Sequence, residues 1–418
     1  MVTARKALSF VNVALSFAGL SALGVSGADL AHFAPEFAQG MAARARLLGD
    51  EGPNDPNNWP SPFRTSSHAI VIVGSDSVAG LRSGVDRVSS LAQSYGVATQ
   101  WRQDAGVRAD APGYEHFGFR DGISQPGIYG YTPVSNPAVA TEGRAGQSLV
   151  FAGEFILGQP RQAGAGRPID VPGPIAVNGP KWSVNGSYLV LRRLSQDVGG
   201  FRSFVAAMAS STGLSPAASE AKVVGRYPSG VPLERAGVLG SDPGPASGLT
   251  GEFSIDNFGY TRDLDGVVVP LASHIRKANP RDEPTDTGGP ADTLTRRILR
   301  RGAVYGSSLA STATGSALAN PTYPNDRGLM FACYQWNIAH QFEFISTHWI
   351  NNPNFPRRGA GSDPLVSQDP NGSFVLGGSK NSHVSLLQRF VTTTGGDYFF
   401  CPSISAVAAL GASKEGTL

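Results

Sequence analysis

The sequence predicts an α+β protein built from two similar units, and three observations lead to that expectation. A strand followed by a helix recurs in each half, His68 to Gly74 then Val85 to Tyr95, and Gly186 to Asp197 then Val198 to Met208. The long interruptions between these pairs favour two α+β units over one doubly wound sheet. At 418 residues the chain exceeds one ordinary core, so two domains of about 150 to 200 residues are expected. Its 52 glycines and 30 prolines, with 16% charged residues, describe a loop-rich molecule whose surface leans on Ser, Thr, Asn and Gly.

In chain order, Arg5 and Lys6 ahead of the apolar run from Ala7 to Val25 imitate a signal peptide. The internal pattern argues otherwise: Phe10 to Ala14 reads as a short strand, and Phe17 to Leu23, closed by Gly24, as a short helix. No apolar run reaches the length of a membrane span. HAIVIVG, His68 to Gly74, reads as a buried strand from its β-branched run, and Val85 to Tyr95 as the amphipathic helix after it. Gly127 to Pro180 is rich in Gly and Pro and reads as a crossing between the units, with one short strand at Glu154 to Leu157. GSYLVLRRLSQD then restarts the pattern as a strand, with a helix over Val198 to Met208. Gly225 to Gly266 reads as turn and loop, and Leu271 to Tyr305 is dense in charge and helix signals. Phe331 to Asn351 reads as a long aromatic helix and Asp397 to Pro402, DYFFCP, as a last buried strand.

Several function classes are excluded by composition. A net charge of +2 leaves no broad electrostatic footprint for nucleic acid. Cys333 and Cys401 are the two cysteines, so neither a disulfide framework nor a cysteine metal site can be built, although one bridge remains open. Asn185 and Asn371, each in Asn-Gly-Ser, are formal glycosylation acceptors if the chain is exported. There is no Gly-x-x-x-x-Gly-Lys phosphate loop, no Gly-x-Ser-x-Gly elbow and no His-Glu-x-x-His zinc helix.

Three segments concentrate chemistry. EHFGFRDGISQP, Glu115 to Pro126, sets the acid Asp121 just after the aromatics Phe117 and Phe119 and before a glycine. Such surroundings favour desolvation, which raises a carboxyl pKa and suits it to passing a proton, while Asp-Gly is equally a turn dipeptide. In LASHIRKANPR, His274 follows the apolar run from Val267 to Leu271 and precedes Arg276, Lys277 and Arg281. A histidine arriving from an apolar strand into cations can ligate a metal whose carrier presents carboxylates, as haem does; the alternative is a histidine in a basic surface loop. TRRILRRGAVYG places Arg296, Arg297, Arg300 and Arg301 within two predicted helical turns ending at Gly302, more cations than a solvated face requires.

With GFRDG followed by ISQP, HIRKANPR, and RRILRRG followed by Tyr305, the chain resembles the dye-decolourising peroxidases, most closely the fungal type. The motifs occur in the family's order and the resemblance spans nearly the whole chain. It implies two ferredoxin-like domains, antiparallel sheets with peripheral helices, over residues 1–176 and 177–418. Haem b, one per chain, is expected between sheet and helices of the C-terminal half. The implied partners are hydrogen peroxide and aromatic reducing substrates, with neither nucleic acid nor a membrane. Family members begin with a further strand and helix upstream of VNVALSFAGLSALG, so the first sheet is expected to lack an edge strand. An extracellular location is implied by the fungal members, without a convincing signal peptide here.

The resemblance also assigns roles. His274 is the proximal iron ligand, its other ring nitrogen meeting a carboxylate, Asp363 in GSDPLVSQ, which makes the imidazole more basic. Asp121 moves a proton between the peroxide oxygens and Arg300 stabilises the charge released, with Arg301 as the alternative. Leu329 and Phe331 keep the distal pocket small and dry, Arg281 pairs with a haem propionate, and Ile123 and Ser124 line the same edge. Bulky dyes are oxidised by electron transfer from a surface aromatic, for which Tyr305 has the family's spacing; Tyr334 and Trp336 read better as core. His340, Glu343 and His348 do not share one helical stripe and make a poor metal site. The competing function is a haem-binding or haem-handling protein with little turnover, which has no need of the Asp121 and Arg300 pair.

Overall fold

A computed structural model of the chain describes residues 8–412 apart from 66, 137, 245–255, 310–325, 370–371, 378–381 and 386–387. Asn371 therefore lies outside the described residues, and Asn185 sits in an exposed turn at φ 63°. The first half supplies β1 (Ser9–Leu15), α1 (Phe17–Ala22), β2 (Ala69–Ser75) and α2 (Val78–Ser94). The second supplies β3 (Ser187–Gln196), α3 (Val198–Thr212), α4 (Pro216–Val224), α5 (His274–Ala278), α6 (Pro290–Thr295), β4 (Leu299–Arg300), β5 (Ala303–Tyr305), β6 (Gly328–Gln335) and β7 (Val391–Cys401). Two wide π-helical turns, Ala339–Glu343 and Ile345–Ile350, follow β6.

The main sheet is antiparallel, in the order β2-β1-β7-β3-β6-β4, with β5 also pairing β6. This is the α+β class with antiparallel sheets and peripheral helices that the sequence predicts. β1 and β7 share a single register pair, Leu15 with Phe400, whereas β3 is laddered along its whole length on both sides. The sheet is thus a β1–β2 pair from the first half joined at one point to a β7–β3–β6 block from the second.

β3 shows why the site lies where it does. Along one face Tyr188 and Val190 pack into the main core, and the next residues of that face, Arg192, Leu194 and Gln196, line a cavity. β6 does the same in reverse, from Leu329 and Phe331 on the cavity to Cys333 in the core. In β7 a bulge between Thr393 and Gly395 lets Thr393 line the cavity while Tyr398 and Phe400 reach the core. Leu189, Leu191, Ala332 and Phe399 face the other side, where they meet Ala14 of β1.

The helix ends follow ordinary capping chemistry. Ser16, Ser77, Asp197 and Ser215 each accept a backbone N–H at the start of α1, α2, α3 and α4. Gly19 in α1 is required by close approach, since a Cβ there would lie 1.8 Å from the carbonyl oxygen of His68.

Five expectations are corrected. β2 exists but is an edge strand, with Val71 42% exposed, because a β-branched run reports strand and not burial. Glu154 to Leu157 is no strand: a 3₁₀ turn over Ala152–Glu154 passes into further turns up to Gly158 at φ 81°, and Ile156 N–H bonds locally to the Ala152 carbonyl. Phe331 to Asn351 divides into β6 and the π-helical turns, because FACYQ alternates faces with period two. RRILRR is not helical beyond Arg296; α6 stops at Thr295 and Leu299–Arg300 pairs with β6. Val267 to Leu271 is a turn, not a strand, running from an exposed Val267 to a buried Val269, and Asp263 accepts the N–H groups of Val268 and Val269.

Candidate active site

The cavity beside β3 and β6 has a volume of about 330 Å³, within the usual range of small-molecule sites. The sheet forms one wall, and the loop from Glu115 to Ser124, α5, the stretch after α6 and the π-helical turns form the others.

His274 is the first residue of α5 and lines this cavity. Its Nδ1–H donates to Asp363 Oδ2 at 2.9 Å, leaving Nε2 without a hydrogen-bond partner among the described residues. Asp363 is buried, and its Oδ1 accepts from the backbone N–H groups of Leu365 and Val366 at 2.8 and 3.0 Å. Burial opposes a charged imidazole, but the Asp363 carboxylate outweighs it and holds the His274 pKa above its ordinary value.

The cations around His274 do not act alike. Arg276 is fully buried and grips Glu283 through both carboxylate oxygens at 2.8 and 2.9 Å and the Val269 carbonyl at 2.6 Å. Lys277, its pKa lowered to about 8 by burial, donates to the Asn352 carbonyl at 2.5 Å. Both brace α5 from behind, so they are struts, and of the three cations following His274 it is Arg281 that lines the cavity.

Asp121 and Arg300 line the same cavity and meet at 3.3 Å. Gly122 N–H donates to Asp121 Oδ1 at 2.6 Å. The side-chain amide of Gln125 brackets the Arg300 backbone, donating to its carbonyl at 3.2 Å and accepting its N–H at 3.3 Å. Arg301 is exposed and donates back to the Arg300 carbonyl at 2.8 Å, which leaves Arg300 as the arginine of that pair in the cavity.

Another end of the cavity is strongly cationic. Asp256 Oδ1 accepts from Ser124 Oγ at 2.6 Å and from Arg226 at 3.2 Å, and pairs closely with Arg281. Arg281 holds this position at φ 54°, a left-handed conformation costly for a side chain of its size. Arg297 also lines the cavity, yet its guanidinium makes no hydrogen bond or ion pair with any described residue. Burial, then the charge of Arg281, lowers the Arg297 pKa to about 10. Among the described residues three guanidiniums here face one carboxylate, an arrangement that suits an anionic ligand with more than one negative group.

A histidine nitrogen facing a cavity, its partner nitrogen on a fixed carboxylate, and an unpartnered guanidinium near two others fit the donor set of a haem with its two propionates. Ile123, Ser124, Leu329 and Phe331 line that cavity as well. Arg192, Gln125, Asp256, Arg226 and Glu115 are site residues that the sequence did not single out. Asp256 and Gln125 stand in loops with no periodic signal, whereas Arg297 was within the arginine cluster but indistinguishable from its neighbours.

Tyr305 is not on the surface. It is 3% exposed, its hydroxyl donates to the Leu194 carbonyl at 3.3 Å, and the Arg193 guanidinium lies 4.4 Å over its ring. β5 pairs with β6 and turns this side chain inward. Trp101, 38% exposed, lies on Arg193 at 5.8 Å. Trp336 is part-buried beneath Arg161 at 4.1 Å, and Tyr334 is part-buried in β6. His340 accepts from Arg296, Glu343 pairs with Arg44 and Tyr398, and His348 stacks on Phe344, so the three serve different partners. Cys333 and Cys401 are free thiols; Cys333 is fully buried opposite Arg300 in the β6–β4 pair, and burial raises its pKa.

Comparison with known proteins matches residues 3–109 to the DyP dimeric alpha+beta barrel domain and residues 171–355 to the Dyp-type peroxidase C-terminal domain. A dye-decolorizing peroxidase of Mycetinis scorodonius is 32% identical over 97% of this chain and 77% of its own length. One from Auricularia auricula-judae is 31% identical over 97% of this chain and 76% of its own. The solved structure of a fungal DyP-type peroxidase from Auricularia auricula-judae superposes with a TM-score of 0.77 at 30% identity, covering 97% of this chain and 87% of that one. A dye-decolorizing peroxidase solved in complex with 2,6-dimethoxyphenol superposes at 0.75 and 31% identity, covering 96% and 86%.

Proposed function

The chain belongs to the dye-decolourising peroxidase family, a family of haem-dependent enzymes, and from that premise we propose that it uses hydrogen peroxide to oxidise phenols and dyes in one-electron steps, with Asp121 and Arg300 as its distal catalytic pair. The pairing of those two side chains at 3.3 Å, in the cavity that His274 lines, is the observation that supports this most. Haem, when bound, supplies an iron that takes up peroxide and stores its oxidising power until reducing substrates consume it.

His274 Nε2 is the ligand in this reading, and Asp363 keeps the proton on Nδ1 so that Nε2 offers its lone pair. Arg297 and Arg281 receive the propionates, with Arg226 behind them. Asp121 takes the proton from one peroxide oxygen and returns it to the other, and the Arg300 guanidinium stabilises the negative charge that builds as the O–O bond breaks. Leu329 and Phe331 exclude water from that step. Phenols of the size of 2,6-dimethoxyphenol, which a solved relative binds, are the substrate class proposed. An aspartate stands where many peroxidases use a histidine as proton carrier, and acid that protonates an imidazole does not silence it in the same way, so activity is expected to be greatest in acid.

The test is reconstitution of the purified chain with haem, followed by a spectrum and one equivalent of peroxide. A histidine-ligated haem band that changes on peroxide addition and returns when a phenol is added is the expected result. Haem that binds without reacting with peroxide is the result of a haem carrier.

A further inference from the structure

We infer that Glu115 is a positioning residue for Asp121: its carboxylate latches the loop from Gly113 to Gly122 so that the acid stays within reach of Arg300. The purpose of the latch rests on the peroxidase reading, whereas the latch itself rests on loop geometry.

The loop folds back on itself. Asp121 N–H donates to the Gly113 carbonyl at 3.0 Å, Tyr114 faces Arg120 as a bridge, and Glu115 N–H donates to the Phe119 carbonyl at 2.9 Å. The tip turns through Gly118 at φ 102°. Inside that turn lies the side chain of Glu115, whose Oε1 accepts Phe119 N–H at 2.8 Å and whose Oε2 accepts Phe117 N–H at 2.9 Å. Oε2 also accepts from Gln196 Nε2, at 2.6 Å, at the end of β3. One carboxylate therefore ties both limbs of the turn together and ties the turn to the sheet.

The outside of the loop is held separately. Phe117 and Phe119 pack on Phe201 of α3, with ring centroids 4.7 and 6.2 Å away. That apolar contact fixes where the tip sits, and beyond it Arg120 N–H donates to the Pro228 carbonyl at 3.0 Å, so the Glu115 bonds set the stretch between these two anchors. Asp121 lies two residues past the latched N–H of Phe119, and Arg300, its partner, is held independently by Gln125. Slack in the loop thus appears as a change in the distance between acid and arginine. The carboxylate offers two acceptor oxygens to its three donors, whereas an amide in its place has a single acceptor oxygen.

Glu115→Gln is the test, read first by backbone hydrogen exchange in the haem-free protein. The Phe117 and Phe119 amides should exchange roughly tenfold faster, the effect of losing one hydrogen bond, while α3 amides keep their rates. Unchanged protection at both amides overturns the latch. With haem, kcat/KM for peroxide should fall about 10²-fold while that for the reducing phenol stays near the parent value, a split that general unfolding does not produce. Gln196→Met, which removes the tie to the sheet and spares the two backbone bonds, should give the same split at smaller size. In an Asp121→Asn background Glu115→Gln should cost nothing further, and an undiminished additional loss overturns action through Asp121. If Asp121→Asn itself costs nothing, the failure belongs to the proposed function, and the exchange rates alone decide the latch.

Discussion

Arg297→Met separates two roles of one side chain, because the same charge that recruits an anionic ligand burdens the protein without it. The guanidinium pKa stands at about 10 against 12.5, chiefly through burial. At about 1.4 kcal/mol for each pH unit, that lowering means the charged side chain destabilises the haem-free fold by roughly 3 kcal/mol. Water entering the cavity screens the charge and brings the figure nearer about 1–2 kcal/mol. The penalty applies wherever the residue is protonated in the fold, so it is constant below pH 10 and fades as pH rises from there toward 12.5. Methionine fills the space without charge. Urea unfolding of the haem-free variant should therefore show a gain of about 1–3 kcal/mol that is flat from mildly acid to mildly alkaline solution. Haem titration should show the opposite, with affinity lower by about ten- to a hundredfold through loss of a charge-assisted bond to a propionate. A variant that is less stable without haem, or that binds haem as tightly as the parent, refutes the assignment of Arg297 to a ligand carboxylate.

Three further outcomes are expected. Asp121→Asn should slow the reaction with peroxide by about 10²- to 10⁴-fold in stopped-flow measurements, with haem binding intact; full activity or a rate maximum at neutral pH excludes Asp121 as proton carrier. Asp363→Asn keeps the shape and the bonds from Leu365 and Val366 but turns a donor toward His274 Nδ1, so the ring's proton moves to Nε2. Haem affinity or activity should drop about 10- to 100-fold, and an unchanged titration counts against His274 as the ligand. Glu154, fully buried and accepting the Gln162 N–H at 2.9 Å, has its pKa raised by burial from 4.5 to about 8. The fold then binds this proton more tightly than the unfolded chain does, so its contribution is whole below pH 4.5 and is lost as pH rises through 8, by up to about 5 kcal/mol. Melting curves should show greater stability in acid, and Glu154→Gln should flatten that dependence.

The motifs made the cavity legible because each places its residue by local chemistry. The Asp-Gly turn both bends the loop and presents Asp121, and His274 begins a helix directly after the buried Ser273. What the sequence could not separate was the use of neighbouring cations. HIRK and RRILRR read as two basic clusters, yet Arg276 and Lys277 brace α5, Arg301 faces solvent, and Arg297 alone among its four is left without a partner among the described residues. Which way each arginine points depends on strand and turn geometry set by distant residues. The surface placement expected of Tyr305 failed for the same reason, since its spacing from Arg300 is a sequence property and its burial comes from pairing with β6. The aromatic stretch from Phe331 was misjudged because five alternating residues of β6 run straight into a helical segment.

The position of Cys333 bears on how long such a protein survives its own reactant. Peroxide attacks the thiolate, not the thiol, and carries it through sulfenic to irreversible acids. Cys333 lies one strand from Arg300 with no exposed surface, and burial keeps its proton on well above neutral pH. Its side chain belongs to the dry core while its neighbours on the same strand face, Phe331 and Leu329, look into the cavity. The strand that walls the cavity therefore carries a thiol that is chemically silent, and durability under repeated turnover becomes a property of the two-residue step from cavity to core.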